Sequence, residues 1–262
     1  MKKQKVSIIT INYNNKAGLE KTIKSVISQT YPEFEYIVID GGSSDGSLDV
    51  IKKYADKITY WVSEPDKGIY NAMNKGVARA DGEYCNFMNS GDCFYNDNVL
   101  ENVFAEFQQS DIITGITQLV TKPIQYWYPP KEITFLWFHI ASLSHQASFI
   151  KTNLLIQNPY NETFQIVSDW SFFMQTLIIN NCTYKPIETI ICIFDMEGIS
   201  NTESFEKERE LAFQQMFPPR ILTDYQKFTL VNDLIERYVR TSLLGQKIIS
   251  LIVKIASKIF RK

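Results

Sequence analysis

The sequence predicts an α/β protein built around a doubly wound, mostly parallel sheet. In the first ninety residues, short β-branched runs alternate with segments whose apolar residues recur at helical spacing. Each of the four predicted strands ends in a polar loop that contains Gly, Asn or Asp. Because ligands of such sheets bind beyond the carboxyl ends of the strands, we expect a nucleotide-sized cleft at that edge.

The first two strands have the nearly continuous apolar composition of strands that are buried on both faces. Val6–Ile11 is predicted as the first strand and Phe34–Asp40 as the second. Between them, apolar residues from Leu19 to Ile27 lie at helical spacing, and Pro32 ends the predicted helix.

The same alternation continues to the fourth strand. A helix over Leu48–Tyr54 precedes a third strand, Ile58–Val62, and a helix over Ile69–Ala80 precedes the fourth, Tyr84–Met88. The predicted strand-end loops are Asn12–Asn15, Asp40–Ser47, Glu64–Gly68 and Asn89–Asp92.

The second half of the chain is less regular. The aromatic-rich segment Tyr126–Leu143 suits either the binding of sugar rings or a loop packed over the sheet. The further predicted elements are a helix over Val99–Phe107, a strand over Asp111–Val120, a helix over Ser171–Ile179 and a strand over Ile187–Asp195.

The turn Asn89-Ser90-Gly91-Asp92 is the first candidate for chemistry. A single carboxylate at the end of a strand can hold a divalent cation, which prefers oxygen ligands, and a glycine lets a diphosphate approach the backbone. The alternative is an ordinary turn that caps the next helix, because the same residue types dominate turns.

Composition narrows the class of protein. The chain has 262 residues, 45% of them hydrophobic, and a net charge of -2, so no overall field favours nucleic acid. Its four cysteines form no CxxC pair and are expected to be buried free thiols. No signal peptide or transmembrane run is apparent, which predicts a cytoplasmic protein.

The carboxyl-terminal segment differs in charge from the rest. From Leu243 to Lys262 apolar residues fall on one helical face and basic residues on the other, with no acid among them. This pattern is typical of a helix lying in a membrane interface, although a helix docked on the protein's own core would also fit.

A resemblance now emerges from the motifs taken in order. VSIITINYNN, IVIDGGSSDGS, SEPDKGIYNAMNKG, NSGD, SHQASFI and SDW resemble family 2 glycosyltransferases of the GT-A (Rossmann-like) fold. The chain is similar to bacterial enzymes that build capsular, colanic-acid-like or O-antigen polysaccharides. The resemblance implies a GT-A domain over residues 1–205, with a nucleotide-binding half (1–110) and an acceptor half (111–205), and a helical extension over 206–262.

The resemblance also implies roles for individual residues. Asp92 would bind Mn²⁺ or Mg²⁺, and Asp169 would be the general base of an inverting transfer. The nucleotide would contact Thr10, Asn12, Asp40, Ser43, Asp45, Asp66, Lys67 and Asn71. Weaker candidates for contact with donor or acceptor are Asn89, Ser90, Gly91, His145, Gln146 and Trp170.

Three positions depart from the family pattern. Gly91 and Asn89 stand where the DxD motif carries acids, and Ser168 replaces the Glu that normally precedes the base. The resemblance therefore leaves Asp92 as one clear protein ligand for the cation.

The partners implied by the resemblance are a nucleotide-sugar donor, expected to be a UDP-sugar, and a saccharide or polyprenyl-diphosphate-linked acceptor at the inner face of the membrane. A non-catalytic sugar-binding protein with a degenerate cleft is an alternative, supported by Asn89 and Gly91. A nucleotidyltransferase is a second, but its triphosphate would require more basic residues than the single Lys16 in the first loop.

Overall fold

A computed structural model describes residues 3–195, 205–224 and 227. Contacts divide the chain into one compact unit, Met1–Arg209, and a second, Glu210–Lys262. The strands are β1 (Val6–Asn12), β2 (Phe34–Asp40), β3 (Tyr60–Ser63), β4 (Tyr84–Phe87), β5 (Cys93–Phe94), β6 (Ile112–Leu119), β7 (Gln125–Trp127), β8 (Ser148–Lys151) and β9 (Tyr184–Phe194). The helices are α1 (Lys16–Ile27), α2 (Ser47–Lys53), α3 (Ile69–Val77), α4 (Val99–Val103), α5 (Phe135–Ile140), α6 (Thr152–Gln157), α7 (Ser168–Phe173) and α8 (Glu206–Met216).

Within the described residues, the strands form one mixed sheet in the order β3-β2-β1-β4-β8-β6-β9-β5, with β7 paired to β6. The strands β3, β2, β1 and β4 are parallel, which confirms the α/β alternation predicted for the first ninety residues. β8 pairs antiparallel with β4 and β6, whereas β6 and β9 are parallel. The carboxyl ends of β1, β2 and β4 therefore meet at one edge, called the rim below.

The apolar runs that predict the first strands are buried as expected. All seven residues of β1 are buried, and so are six of the seven residues of β2. Helix α3 lies unusually close to this sheet at Gly76, because a Cβ built there would lie 2.4 Å from Ile9 Cγ2. A side chain at position 76 would therefore push α3 off the sheet.

Several element boundaries differ from the prediction. The helix expected over Val99–Phe107 ends at Val103, and the third strand starts at Tyr60 after a 3₁₀ turn over Ala55–Lys57. The helix expected over Ser171–Ile179 begins at Ser168 and becomes a π-helix over Met174–Ile179. The short elements β5, β7, α5 and α6 have no counterpart in the prediction.

The predictions for the cysteines are confirmed in part, and those for the carboxyl-terminal segment are not tested. All four cysteines are free, and Cys182 is only partly buried whereas Cys85, Cys93 and Cys192 are buried. No helix among the described residues combines the length and apolar character needed to span a bilayer. The segment Leu243–Lys262 lies outside the described residues, and the division at residue 205 stays a prediction.

Candidate active site at the rim

Asp40, at the end of β2, is fully buried and organises the first two rim loops. Its Oδ1 accepts hydrogen bonds from Asn12 Nδ2 (2.7 Å) and Ser43 Oγ (2.6 Å). Its Oδ2 accepts from the Ser43 amide (3.0 Å) and from Ser63 Oγ (2.6 Å). Burial alone would raise the pKa of Asp40, but these donors outweigh it and the pKa lies below its usual value.

Since four protein donors occupy the Asp40 carboxylate, a base could bind it directly only by replacing one of them. Its role as a nucleotide contact stays a prediction. Asn12 is part of the same cluster, because its Oδ1 accepts from Ser90 Oγ (2.8 Å) and so joins β1 to the Asn89–Asp92 turn.

Thr10 and Asp45 also make internal contacts. Thr10 is fully buried, and its hydroxyl donates to the Met88 carbonyl (2.7 Å) between β1 and the end of β4. Asp45 accepts from the Lys16 amide (2.7 Å) and from the Ser47 amide and hydroxyl (3.0 and 2.6 Å). Both residues shape the rim, and their contact with a nucleotide stays a prediction.

Asp66, Lys67 and Asn71 lie in and after the loop between β3 and α3. Asp66 Oδ1 accepts from the Gly68 amide (2.9 Å), and Asn71 Oδ1 accepts from the Lys67 amide (3.1 Å). A Cβ added at Gly41 would lie 2.5 Å from Asp66 Oδ2 and 3.2 Å from the Tyr13 ring. This glycine therefore lets Asp66 and the largely exposed Tyr13 approach each other at this end of the rim.

Helix α1 holds the Asn89–Asp92 turn against the sheet. Thr22 Oγ1 accepts from the Gly91 amide (3.0 Å) and donates to the Asp92 carbonyl (2.6 Å), while Lys21 Nζ donates to the Gly91 carbonyl (2.7 Å). Gly91 has a φ of +108°, a left-handed conformation that a side chain would strain. Glycine is therefore the residue that this turn accommodates without strain.

Asp92 is 5% exposed and has an acidic neighbour. Its Oδ1 accepts from the Asp195 amide (2.9 Å), and a Cβ added at Gly91 would lie 3.7 Å from Asp195 Oδ2. Burial raises the pKa of Asp92 to about 6; the Asp195 amide and the nearby His145 and Gln146 oppose this rise, whereas the Asp195 charge adds to it.

Two acids that are 103 residues apart in sequence therefore lie together at the turn that corresponds to the family's DxD motif. Carboxylate oxygens are ligands that Mg²⁺ and Mn²⁺ prefer. In the same turn, Asn89 Oδ1 is buried and has no hydrogen-bond partner among the described residues. Across that part of the chain, however, no three His, Cys, Asp or Glu side chains converge to enclose a metal. The donor set therefore fits a cation that also draws ligands from a bound diphosphate.

Asp169 lies in the first turn of α7 and faces the same turn through His145. Its Oδ2 is 2.9 Å from His145 Nδ1, and His145 Nε2 is 3.1 Å from Asn89 Nδ2. Its Oδ1 accepts from the Trp170 amide (2.8 Å) and lies 3.1 Å from the Tyr70 hydroxyl. Asp169 and His145 side chains are 18% and 17% exposed, so the carboxylate is still accessible to a ligand.

The other weaker candidates divide into two groups. Ser90 and Gln146 line the rim turn, since Ser90 bonds Asn12 and Gln146 lies beside Asp92. Trp170 is 4% exposed; its indole donates to the Phe138 carbonyl (2.9 Å) and its ring lies 4.6 Å from the Arg209 guanidinium. Trp170 is therefore buried between these partners, and its contact with donor or acceptor stays a prediction.

Sequence reasoning missed three residues at this site. Asp195 was noted only as the end of a strand, and its neighbour Asp92 is 103 residues away in sequence. Tyr70 lies inside the motif SEPDKGIYNAMNKG and in the predicted helix Ile69–Ala80, but no role was assigned to it. Glu208 accepts from the amides of residues 165–167 and fixes the approach to α7. Only Asp195 had a signal in sequence, an acid at the carboxyl end of a strand.

Comparison with known proteins then decides the family. The sequence profile described as glycosyl transferase family 2 matches residues 7–177, about two thirds of the chain and all of the rim residues except Asp195. The chain belongs to glycosyl transferase family 2. An uncharacterised glycosyltransferase of Mycobacterium tuberculosis is 32% identical over 203 residues, covering 75% of this chain and 77% of the relative.

Solved structures confirm the GT-A fold for this family 2 glycosyltransferase. Staphylococcus aureus TarS (residues 1–349) in complex with UDP-GlcNAc matches with a TM-score of 0.63 and 22% identity, over 76% of this chain and 61% of TarS 1–349. The mannosyltransferase PcManGT of Pyrobaculum calidifontis, in complex with GDP-Man and Mn²⁺, matches with a TM-score of 0.60 and 13% identity, over 98% and 81% of the two chains. The resemblance read from the motifs is thus confirmed, and the chain is a transferase.

Proposed function

We propose that this glycosyltransferase moves a sugar, with inversion, from a nucleotide-diphospho-sugar to a saccharide or lipid-linked saccharide. One observation carries the proposal: the Asp169 carboxylate is hydrogen-bonded, through His145, to the turn that carries Asp92. A carboxylate that can accept a proton and a carboxylate that can hold a cation therefore share one rim.

The donor is proposed to bind along the ends of β1, β2 and β4, with its base toward Asp66 and Tyr13 and its diphosphate toward the Asn89–Asp92 turn. Gly41 supports the first placement, because it lets the Asp66 carboxylate and the largely exposed Tyr13 ring lie close together beside the end of β2. Gly91 supports the second, because its backbone carries no side chain toward the cleft. A UDP-sugar is the proposed donor, in line with the UDP-GlcNAc bound by TarS.

Asp92 and Asp195 are the residues proposed to hold Mn²⁺ or Mg²⁺. A bound cation supplies a Lewis acid that stabilises the charge developing on the departing nucleoside diphosphate. The buried Asp92 carboxylate and the partly buried Asp195 carboxylate repel each other; burial, and to a smaller extent this repulsion, raises the pKa of Asp92. A divalent cation between them would relieve both costs.

Asp169 is proposed as the general base. It remains partly exposed, and its two oxygens receive donors from the Trp170 amide and from His145, which fix its orientation. An inverting transfer needs one carboxylate that takes the proton from the acceptor hydroxyl, and no carboxylate nucleophile.

The acceptor and the cellular site belong to the same proposal. Similarity to bacterial surface-polysaccharide enzymes supports a polyprenyl-diphosphate-linked acceptor at the cytoplasmic face of the membrane. The basic amphipathic segment Leu243–Lys262 is proposed to bind that surface. Residues 1–205 form the proposed catalytic domain, and residues 206–262 the extension.

The test is a screen of nucleotide-sugars with Mn²⁺, with the anomeric configuration of the product read by NMR. Asp169→Asn should lower transfer by about 10³-fold while nucleotide binding survives. Asp56→Asn, at an exposed acid on the surface, is the matched control and should have no effect. Transfer that survives in Asp169→Asn, or a product with retained configuration, would contradict the proposal.

The membrane part is tested separately. Deletion of residues 243–262 should release the protein from anionic vesicles while leaving transfer to a soluble acceptor intact. A full-length variant with the six basic residues from Arg240 onward changed to Gln separates charge from length. Equal vesicle binding by all three proteins would remove this part of the proposal.

A further inference from the structure

One imidazole joins the base to the donor side of the cleft. His145 contacts Asp169 Oδ2 with Nδ1 (2.9 Å) and Asn89 Nδ2 with Nε2 (3.1 Å). Asp169 begins α7, Asn89 follows β4, and His145 precedes β8, so the three residues come from separate parts of the fold. We propose that His145 is a positioning residue that fixes the Asp169 carboxylate relative to the Asn89–Asp92 turn; this inference rests on the proposed function.

The hydrogen bonds have a consistent direction. A carboxylate only accepts, so the contact with Asp169 requires a hydrogen on His145 Nδ1. The Asn89 amide then donates to His145 Nε2, which carries a lone pair in that tautomer. The imidazole thus leaves Asp169 as an acceptor, which is the state a general base needs before transfer.

The backbone that carries His145 is itself firmly held. Asn86, fully buried in β4, donates through Nδ2 to the carbonyls of Gln146 (2.9 Å) and Ser148 (3.0 Å). The Ser148 hydroxyl donates to the Ser144 carbonyl (2.7 Å), and the Ser148 amide to the His145 carbonyl (3.1 Å). These bonds hold the backbone on either side of His145 against β4, the strand that leads into the turn with Asp92.

This arrangement sets the distance between the base and the donor. Without His145, Asp169 would keep the Trp170 amide on Oδ1, but its Oδ2 would lose the contact that orients it toward the turn. A displacement of about 1 Å in a reacting group can cost about 100-fold in rate. Asp66 and Asp92, the groups proposed to bind the nucleotide and the cation, would remain in place.

The two ring nitrogens can be replaced one at a time. Asparagine reproduces the Nδ1 donor toward Asp169, and glutamine reproduces the Nε2 position toward Asn89. The experiment therefore compares His145→Asn, His145→Gln and His145→Ala in the full chain. It measures kcat and KM with the donor found in the screen, UDP affinity by calorimetry with Mn²⁺, and the melting temperature.

We expect His145→Ala to lower kcat by about 100-fold with donor KM and UDP affinity within about twofold of wild type. His145→Asn should retain at least about tenfold more kcat than His145→Ala or His145→Gln, because it preserves the contact with the base. A kcat within twofold of wild type in His145→Ala would overturn the inference, as would equal losses in all three variants accompanied by lower melting temperatures.

The outcome also separates this inference from the function on which it rests. A wild-type protein without transfer from any nucleotide-sugar would overturn the proposed function, and the positioning role with it. Wild-type transfer that depends on Asp169 but not on His145 would overturn the positioning role alone.

Discussion

Glu35 and Asp92 are both buried acids, and they lie at opposite edges of the same sheet. Glu35 is near the start of β2, with a side chain 4% exposed, and Asp92 follows β4 at the rim, 5% exposed. Their burial is almost equal, but their surroundings differ in the number of hydrogen-bond donors that the protein supplies.

The Glu35 carboxylate is well provided with donors. Its Oε1 accepts from Ser7 Oγ (2.5 Å) and from the amides of Asp81 (2.6 Å) and Gly82 (3.1 Å), and Lys5 Nζ lies 2.5 Å from Oε2. Burial would raise the pKa of Glu35, but Lys5, Ser7 and the Asp81 amide together hold it below its usual value.

Asp92 is buried among fewer donors and beside a second acid, so its pKa rises to about 6. The comparison indicates that Glu35 stabilises the fold and that Asp92 is available to bind a ligand. Protein hydrogen-bond donors stabilise the ionised form of Glu35, whereas the ionised form of Asp92 would be stabilised by a bound ligand such as a cation.

The largest expected effect comes from Asp92→Asn. We expect transfer to fall by about 10³-fold, because the residue proposed to hold the cation loses its charge. Without cation, the free energy of unfolding should stay unchanged or rise, since a buried amide costs less than a buried carboxylate beside Asp195. Steady-state kinetics with Mn²⁺ and denaturation in EDTA measure the two effects. A lower free energy of unfolding would show that the protein stabilises the Asp92 carboxylate as it does that of Glu35, and would contradict the comparison.

Glu35→Gln should have the opposite profile. We expect the free energy of unfolding to fall by about 2 kcal/mol, because charge-assisted hydrogen bonds to a buried carboxylate are lost. UDP affinity should not change, since Glu35 lies at the edge away from the rim. Glu33→Gln, an exposed neighbour, is the matched control for urea denaturation. If Glu35→Gln is as stable as Glu33→Gln, Glu35 does not stabilise the fold and the comparison with Asp92 is wrong.

The pH dependence of stability should identify the same acid. The pKa of Glu35 is lowered on folding, so its contribution is fully present above the unfolded value near 4.5 and is lost as pH falls through the folded pKa. We therefore expect the difference in unfolding free energy between wild type and Glu35→Gln to shrink below pH 4.5. Denaturation at pH 7, 5 and 3.5 measures this difference, and a constant difference would contradict the assignment.

The smallest expected effect concerns two neighbouring hydroxyls. The tilted rings of Tyr70 and Tyr160 pack together with centroids 5.6 Å apart. The Tyr70 hydroxyl lies 2.5 Å from the Ile166 carbonyl and 3.1 Å from Asp169, whereas the Tyr160 hydroxyl has no partner among the described residues. Tyr70→Phe should cost about 1 kcal/mol of stability and lower kcat, and Tyr160→Phe should be neutral or stabilising. Thermal unfolding and kinetics measure both variants; equal losses would show that the hydroxyl of Tyr160 is also satisfied.

The sequence predicts the parallel half of the fold better than the rest. β1 and β2 are seven-residue, largely apolar runs and β4 is a fully buried strand of four residues; the bounds of all three are confirmed to within about one residue. β5 and β7 have two and three residues, and they form because β9 and β6 lie beside them. No local pattern of that length can indicate a strand, because its stability comes from the pairing partner.

The site is predicted in its location but not in its connections. A strand-end acid such as Asp40 indicates the rim, but its donors come from the ends of β1 and β3 and from the loop after β2, so its internal hydrogen bonds cannot be read from the chain. The pairing of Asp195 with Asp92 depends likewise on how β9 crosses the sheet. From sequence alone, Asn89 and Gly91 suggest that the acidic motif is lost. In the structure, however, His145 contacts Asn89 and the Asp195 carboxylate lies beside Gly91, and neither contact is visible in the sequence.

The bridge made by His145 also offers a spectroscopic handle. The chain contains two histidines, His139 and His145, so a His139→Gln protein would carry a single imidazole. The ¹⁵N resonances of the imidazole in that protein would then belong to His145 without further assignment. The shift of each ring nitrogen would report the tautomer directly, and its change on adding nucleotide or acceptor would follow the cleft as it fills.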